Sequence, residues 1–407
     1  MEARLSVSLG SWRAPVVLAY VAFVFVGINA GVGTVLLPAQ IDDYHVDMAT
    51  IGLTFFTFSA GFFLAGATSG ALMHRFGTRL TLVAAGGVFV VAALAAAARP
   101  LFWVYVAMQI LAGYAIGVLE TVLNAYLATL PAATTLINRL HGFFGVGALV
   151  GPPFAAWVLH DLGRQWTMVW LLLALAGVAL TVAFLLVYPR TNGAAGTTTT
   201  GRQRLLGPVL RSPAVLLAAS FLGVYVGLEL GVGNWGFTYA VGEHAVGDLA
   251  AGWIISGYWL GLTVGRFVIS PLATRLGWTS ARMMFACLFG VIISSLLVWV
   301  APVAAAAGIG FVALGFFLGP LFPTAIAVMP EVTEERLVPT AIGILNGMSL
   351  VGGAALPWVA GAIAQGVGLW TLMPYALALG VVQLVIWWLL VARMREPVPQ
   401  AVVTARE

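Results

Sequence analysis

Three formally charged side chains lie well inside the apolar stretches of this sequence: Glu120, Glu229 and Arg266. A charge at membrane depth costs about 2.5–3.5 kcal/mol on insertion scales, so a chain that keeps so few of them there is expected to use them. Carboxyl groups inside a helical membrane bundle are typical of proton and ion pathways. These residue types therefore predict a transporter, provided that the rest of the chain forms membrane helices around them.

The fourth apolar stretch presents one polar helix face. Gly113, Gly117, Glu120 and Asn124 are spaced by four, three and four residues, so they share a face of a helix. In one interpretation this face lines a cavity and Glu120 loads and releases a proton there. In the other, the glycines let a neighbouring helix approach closely and Glu120 hydrogen-bonds across helices.

The two other charges also fit more than one role. Glu229, near the middle of the seventh stretch, is either a second proton site, a group that binds substrate hydroxyls, or a structural partner for Arg266. Arg266 lies about two and a half turns before Arg275 in the eighth stretch. It fits the binding of an anionic substrate, an extension toward the membrane surface, or an ion pair with an acid.

Aromatic rings beside amides predict a sugar-binding surface, because the rings can stack on the flat C–H faces of a sugar and the amides can hydrogen-bond its hydroxyl groups. Trp235 follows Asn234, and Tyr239 lies one turn further along the helix. Aromatic residues make up 12% of the chain, so most of them are expected to face lipid or core. His141 begins the fifth stretch and fits either proton coupling or a hydrogen-bonding role at the helix start. The remaining predicted cavity amides are Asn29, Gln109, Asn124 and Asn346.

Composition indicates an all-α integral membrane protein. The 407 residues are 61% hydrophobic and 8% charged, with a mean hydropathy of +1.04, whereas soluble domains carry about 25% charged residues. Each apolar stretch is long enough to cross the ~30 Å hydrocarbon core as a helix. Twelve spans are predicted, at 14–40, 48–73, 80–98, 101–130, 136–159, 166–188, 213–240, 249–273, 281–300, 303–329, 337–364 and 368–392.

Other function classes lack support in the sequence. The single cysteine, Cys287, excludes an intrachain disulfide. The sequence has no metal-ligand cluster, no supported catalytic triad and no phosphate-binding loop, so it predicts neither an enzyme nor a cofactor. The basic residues are dispersed at loop edges, which does not indicate nucleic-acid binding. The expected partners are a small-molecule substrate, protons and the lipid bilayer, and the chain is expected to be a monomer.

The chain repeats itself with an offset near 200 residues. Three segments agree on this: Val26 to Gly33 returns as Val226 to Gly233, Leu72 to Gly77 as Leu272 to Gly277, and Ala148 to Gly151 as Ser349 to Gly352. The repeat predicts two pseudo-symmetric six-helix bundles, 1–190 and 213–407, joined by a Gly/Thr-rich linker, 191–212. Substrate is expected near the bilayer midplane between them.

Arginine placement predicts the orientation. With the N-terminus in the cytoplasm, 15 arginines fall on the cytoplasmic side, and only Arg99 and Arg164 fall outside. This asymmetry agrees with the positive-inside rule. We therefore expect an inner (plasma) membrane protein with both termini in the cytoplasm.

Two groups of motifs carry a resemblance to a known family. The turn after the second span, Gly70 to Gly77, contains His74 and Arg75 and is followed by Arg79. Twelve spans in two repeats with this turn resemble the major facilitator superfamily and its fold. The span-4 stretch Gly113 to Asn124 and the Leu36-Leu37-Pro38-x-Gln40 ending of span 1 resemble the fucose/proton symporter-like branch.

The resemblance implies roles for particular residues. Glu120 matches the proton-carrying carboxylate of the sugar symporters, whereas Thr34 stands where they have a second acid. His74 replaces the aspartate of the usual gating network, which makes that network pH-sensitive or puts it in doubt. The gating residues implied for this chain are Gly70, His74, Arg75, Gly77, Arg79, Arg266 and Arg275.

These expectations converge on a proton-coupled secondary transporter of a small neutral metabolite, most simply a hexose. Three alternatives remain open. Gly147-x-x-x-Gly151-Pro152 in span 5 partly resembles the signature of drug antiporters and, with Arg266, fits an exporter of hydrophobic or anionic compounds. Thr34 fits a sugar uniporter without proton coupling. A membrane receptor that binds ligand without moving it is the third.

Overall fold

The computed structural model describes residues 12–189 and 206–394, which are mostly helical and contain no β-strand. Eleven helical segments of this part are long and apolar enough to cross a membrane. The main helices of ten of these segments are α1 Arg13–Tyr44, α4 Phe102–Ala128, α5 Ala133–Ala156, α6 Trp166–Val187, α7 Pro213–His244, α8 Asp248–Arg275, α9 Ser280–Val300, α10 Ala304–Leu318, α11 Val338–Val367 and α12 Leu372–Val391.

The second and third predicted spans lie in a single long helical segment that is interrupted at one residue. Leu53–Ala97 has 45 residues, about 68 Å at 1.5 Å per residue, which is twice the thickness of the hydrocarbon core. Gly77 interrupts it with φ 74° and ψ 168°, a conformation that favours glycine. The two parts are α2 (53–76) and α3 (78–97), so the twelve predicted crossings are confirmed.

Short elements complete the chain between these helices. Met48–Ile51 precedes α2, and Leu321–Ala327 extends α10. The Asp47 carboxylate caps Met48–Ile51 by accepting from the Thr50 backbone N–H at 2.6 Å. Hydrogen bonds from Thr50 hold the pKa of Asp47 below its usual value. The remaining short helices are Trp157–Asp161, Leu206–Leu210, Met329–Val332, Glu335–Leu337 and Leu369–Thr371.

Backbone geometry reproduces the sequence repeat. His45 after α1 and Ala245 after α7 both adopt left-handed conformations, with φ of 52° and 49°. Gly77 and Gly277 have φ of 74° and 67°. Both pairs are separated by 200 residues, so the duplicated halves turn at equivalent positions. Residues 190–205 lie outside the described part, and the predicted domain boundaries at 190 and 213 stay predictions.

Close glycine contacts hold equivalent helix pairs in the two halves. A Cβ at Gly113 of α4 would collide with the backbone oxygen of Phe58 in α2. A Cβ at Gly315 of α10 would collide with the backbone oxygen of Tyr258 in α8. Small residues allow such approach, and in lipid the resulting van der Waals contact is a main source of helix association.

The polar contacts between the two halves lie at one end of the molecule, whereas α5 and α8 also pack against each other at Gly142 and Phe267 nearer the other end. We call the distal side the one where α1 and α7 end and α2 and α8 begin, and the proximal side the one where α1 and α7 begin. Five polar contacts join the halves in the distal part: Thr34 Oγ1 to Asn234 O (3.0 Å), Gln365 Oε1 to Met48 N (3.1 Å), Ser256 Oγ to Leu149 O (2.5 Å), Trp358 Nε1 to Ala49 O (2.9 Å) and His160 Nδ1 to Asp248 Oδ2 (2.9 Å). Among the described residues, no hydrogen bond or ion pair joins the halves in the proximal part. The molecule is therefore closed on the distal side.

Thr34 and Asn234 occupy equivalent positions of the two repeats, 200 residues apart. Their direct hydrogen bond means that the pseudo-symmetry axis passes between α1 and α7 at this level. Thr34 is 1% exposed, so its hydroxyl serves this contact rather than the solvent.

Candidate functional site

A cavity of about 260 Å³ lies between the two halves. It follows α1 from Val26 to Gln40, about 21 Å of helix. Most of its wall comes from α1, α2 and α4, whereas the second half contributes only Leu230, Asn234, Trp259 and Gly353. Its polar and aromatic wall residues are Asn29, Gln40, Thr54, Phe55, Phe58, Ser59, Phe62, Tyr105, Gln109, Glu120, Phe144, Trp170, Asn234 and Trp259.

Glu120 is the one formally charged side chain in this wall. It projects from the proximal half of α4, and its carboxyl group makes no hydrogen bond or ion pair with any other described residue. Only its backbone oxygen is used, by the Asn124 amide at 2.8 Å. A carboxyl group without a cation beside it can exchange a proton with the cavity, since its charge is not fixed by a partner.

Three of the predicted amides reach this cavity: Asn29, Gln109 and Asn234. Gln40, from the motif that ends span 1, donates from Nε2 to the Tyr105 hydroxyl at 2.8 Å, which fixes both groups at the distal end of the cavity. In the sequence, Gln40 stands out only as part of that motif.

Three wall atoms are buried without a partner among the described residues: Asn29 Oδ1, Trp170 Nε1 and Trp259 Nε1. Buried polar atoms normally have hydrogen-bond partners, so unsatisfied ones call for an explanation. All three atoms are fully buried, so none of them is open to the cavity in this conformation. Nothing in the sequence around Trp170 distinguishes it from the other residues of span 6, so its place in the cavity wall is visible only in the structure. Trp259 was noticeable only through its position in the middle of span 8.

The predicted contact Asn124 lies outside the cavity wall, and four further predicted residues lie away from it. Trp235 is 1% exposed and donates from Nε1 to Pro357 O at 2.7 Å, so its ring is committed to packing against α11. Tyr239 packs against His244 near the distal surface. Asn346 is exposed on α11, and His141 packs edge-on against Phe23. The structure does not bring these four side chains into one site.

Glu229 and Arg266 form an ion pair within the second half. Arg266 Nη2 lies 3.3 Å from Glu229 Oε1, and the side chains retain 30% and 12% exposure. The Tyr258 hydroxyl donates to Glu229 O at 2.9 Å, which ties α8 to α7 at the same level. Neither charge belongs to the cavity wall. Among the roles left open by the sequence, this geometry matches the structural pair.

The glycines of span 4 face another helix. Gly113 meets Phe58, and a Cβ at Gly117 would lie 2.7 Å from Ala65 Cβ of α2. The interpretation that these glycines clear space for the cavity is therefore wrong, although Glu120 on the same helix does reach it. Gly147 and Gly151 of α5 similarly pack against α1, so close helix contact accounts for the motif shared with antiporters.

The predicted gating turn lies at the proximal side. Its glycine, Gly77, ends α2 as described, whereas a Cβ at Gly70 would meet nothing within 4 Å. His74 and Arg75 are exposed, and Arg75 lies 5.2 Å from the Phe76 ring centroid. Arg79 is half-buried. None of these three basic residues forms an ion pair in the described part of the chain. Arg275 is exposed at the end of α8.

Comparison with known sequences identifies relatives. The Glucose/galactose transporter of Brucella abortus is 23% identical over 355 residues, covering 82% of this chain and 84% of that protein. Bypass of stop codon protein 6 of Saccharomyces cerevisiae is 26% identical over 393 residues, covering 88% and 78%.

Solved structures share the fold at low sequence identity. The nucleoside transporter NupG matches with a TM-score of 0.77 at 14% identity, covering 93% of this chain and 99% of that one. An inward-facing bacterial homolog of the human lysosomal transporter Spinster gives 0.78 at 12%, covering 94% and 98%. FucP in its outward conformation gives 0.62 at 15%, covering 93% and 99%.

A sequence model of the Major Facilitator Superfamily matches residues 18–247 and 230–407, which together include nearly the whole chain. The twelve crossings, the repeated turns and the cavity between two halves agree with that match. The chain is therefore a multi-pass membrane protein that belongs to the Major Facilitator Superfamily.

Proposed function

We propose that this protein moves a small neutral polyhydroxylated molecule, a hexose in the first instance, across the membrane by alternating access coupled to protons at Glu120. The observation that carries the proposal is the composition of the cavity wall. One carboxyl group without a cation stands among amides, indoles and phenyl rings. A fold alone hosts many functions, so the substrate class has to be argued from this site.

The size and charge of the cavity support a sugar over the exporter alternatives. Its volume of about 260 Å³ lies just below the range of ~300–1,000 Å³ for sites of drug-sized ligands. No arginine contributes to the wall, and Arg266 is already paired with Glu229. An anionic substrate would therefore meet Glu120 without a compensating positive charge. The relative named Glucose/galactose transporter supports the same class.

The transport cycle follows from the contacts between the halves. In the present conformation the distal side is held by the five polar contacts, so substrate and proton exchange on the proximal side. Breaking those contacts and forming proximal ones would expose the same cavity to the distal side, as expected for repeat-built transporters. We propose that the proximal turn of Gly70, His74, Arg75, Gly77 and Arg79, with Arg275, forms the opposite gate.

We place the proximal side in the cytoplasm, which follows from the arginine asymmetry. The protein would then be an inner-membrane transporter with cytoplasmic termini, captured open to the cytoplasm. His141 and Glu229 remain proposed auxiliary proton sites, and Asn124, Trp235, Tyr239 and Asn346 remain proposed substrate contacts that a different conformation would have to bring into the cavity wall.

A sugar uniporter is the second candidate, and one observation favours it. Thr34 stands where the resembling symporters carry an acid, and its hydroxyl is bonded to Asn234 O. The cavity then holds a single carboxyl group, which would bind sugar hydroxyls without moving protons.

Uptake of radiolabelled hexoses into sealed proteoliposomes, with and without an inward proton gradient, separates these functions. Gradient-stimulated accumulation is expected for the wild type. Glu120→Gln should abolish the accumulation but preserve exchange of sugar between the two sides. Glu243→Gln, a change at an exposed acid outside the cavity, is the matched control and should behave as wild type. Equal, non-concentrating entry in wild type and Glu120→Gln would establish the uniporter, and no entry of any sugar would refute the sugar assignment.

A further inference from the structure

A groove of about 380 Å³ opens between α5 of the first half and α8 of the second, toward the proximal end of both helices. On α5 it extends from Thr135 to Val146, about 17 Å of helix. Phe267 supplies the opposite wall from α8. Gly142 lets the two helices approach, since a Cβ there would lie 3.6 Å from Cζ of the Phe267 ring. The groove shares no wall residue with the central cavity, so it is a separate feature of the molecule.

The groove opens toward the lipid. Val146, Val150 and Trp157 follow one side of α5 at intervals of four and seven residues, and all three are about half exposed. Phe267 of α8 is half exposed as well. Phe144 meets the central cavity from the other side of α5, about 200° around the helix from Val146. Exposed rows of large apolar side chains on a membrane helix are expected to face the acyl chains.

Arg139 lies at the depth of the lipid headgroups. The helical span Thr135–Asp161 has 27 residues, which is about 40 Å. Centred on the ~30 Å hydrocarbon core, it extends about 5 Å beyond the core at each end. Arg139 is four residues, or about 6 Å, from the proximal end of this span. Its backbone therefore lies at the boundary of the hydrocarbon, and its long side chain can place the guanidinium among the headgroups.

The proximal end of the groove is polar and open. Thr135, Asn138 and Arg139 form it, and all three are exposed. None of their side-chain polar atoms is fully buried without a partner. Arg139 makes no ion pair with any other described residue, and no acid lines the groove. Further along the groove the wall is apolar, and Phe143 is held there by stacking on Tyr20 of α1, with ring centroids 4.8 Å apart.

We propose that this groove binds an anionic phospholipid of the proximal leaflet. The lipid phosphate accepts hydrogen bonds from the Arg139 guanidinium, whose fork suits phosphate oxygens, and from the Asn138 amide. One acyl chain lies along Phe143, Val146 and Phe267. Basic pockets between membrane helices bind anionic lipid headgroups in this way. The bound lipid contacts both halves, and the site does not depend on which substrate the central cavity takes.

Native mass spectrometry of the purified protein in a neutral detergent measures the Kd of the first bound lipid. Dioleoyl phosphatidylglycerol is the anionic probe, and dioleoyl phosphatidylcholine has the same chains with a zwitterionic headgroup. We expect the wild type to prefer phosphatidylglycerol. Arg139→Gln should raise the Kd for phosphatidylglycerol about tenfold, as for lost hydrogen bonds to a charged group, and remove the preference. Arg282→Gln removes the same charge from an exposed arginine at the start of α9, outside the groove, and should bind as wild type.

A second pair of variants tests the apolar part of the groove. Val146→Trp fills the groove without changing the charge, so it should weaken phosphatidylglycerol binding. Val150→Trp adds the same ring one turn further along α5, outside the groove, and should leave the Kd unchanged. The replaced side chains are all exposed, so the Tm of the lipid-free protein should stay the same in every variant. A lower lipid-free Tm in Arg139→Gln would leave the decision to the two tryptophan variants.

Four results would overturn the proposed lipid site. The first is equal phosphatidylglycerol binding by the wild type and Arg139→Gln, and the second is equal affinity of the wild type for both lipids. Equal binding by Val146→Trp and Val150→Trp would show that the lipid lies elsewhere. Displacement of the lipid by inorganic phosphate at the same concentration would assign Arg139 to a soluble anion. Hexose uptake tests the proposed function separately, so either conclusion can fail without the other.

Discussion

The hydrogen bond from Trp358 to Ala49 offers a direct test of the distal closure. Trp358 Nε1, on α11 of the second half, donates at 2.9 Å to the backbone of the short helix Met48–Ile51 in the first half. This bond can exist only while the distal side is closed. Trp358→Phe removes the N–H and leaves a smaller aromatic ring at the place where the indole packs edge-on against Phe56.

The expected size of the effect follows from one net hydrogen bond. Such a bond contributes ~0.5–1.5 kcal/mol, and Ala49 is only half-buried, so water can replace the lost donor. Because the bond exists in only one conformation, losing it shifts the equilibrium between the distal-closed and distal-open conformations by the same free energy. The equilibrium constant then changes by about 2- to 13-fold. The distal-open population should rise by that factor.

Cysteine labelling measures that population. Cys287 is the only cysteine, so Cys287→Ser gives a background free of thiols. Leu37→Cys then places a single thiol in the cavity wall beneath the distal contacts. With a membrane-impermeant maleimide added on the distal side of oriented vesicles, the labelling rate should rise about 2- to 13-fold in Trp358→Phe.

Trp387→Phe is the matched control. Its indole donates to Ala281 O within the second half, a bond that both conformations keep. An unchanged labelling rate in Trp358→Phe, or an equal rise in both variants, would refute the assignment of this contact to the distal gate.

Two further predictions concern the helices that hold the cavity. Gly113→Ala forces a Cβ onto the α2 backbone and should cost ~1–3 kcal/mol, lowering the Tm by about 1–4 °C in a thermal melt of a chain of this length. Gly87→Ala, where a Cβ meets nothing within 4 Å, should leave the Tm unchanged or slightly higher, and an equal drop in both variants would contradict the packing role of Gly113. Glu229→Gln should lower the Tm because the Arg266 charge loses its partner, by less than the ~3–5 kcal/mol of a fully buried pair since Arg266 keeps 30% exposure. The double variant Glu229→Gln/Arg266→Gln should recover most of that loss in Tm. If the Tm losses of the two single variants simply add, the ion pair does not account for the contribution of either residue to stability.

The sequence by itself determined the architecture of this protein. Apolar stretches of helix length leave a chain in lipid no alternative to spanning helices, because each backbone polar group has to be satisfied within its own segment. The repeat near 200 residues indicated the two-fold organisation, and Gly77 with Gly277 marked two equivalent turns whose positive φ favours glycine. Glu120 was identified for the same kind of reason, since a charge in a span is costly wherever the neighbouring helices lie.

The selection of wall residues required the tertiary structure. Trp235 and Trp259 are both tryptophans in the middle of a span, but one bonds to Pro357 and the other meets the cavity. Gly113 and Glu120 share a helix face in the sequence, yet the glycine contacts α2 while the acid enters the cavity. In a membrane bundle both the buried and the lipid-facing sides of a helix are apolar, so the sequence carries little periodic signal for direction. Which side chains meet in one cavity was decided by how the two halves pack.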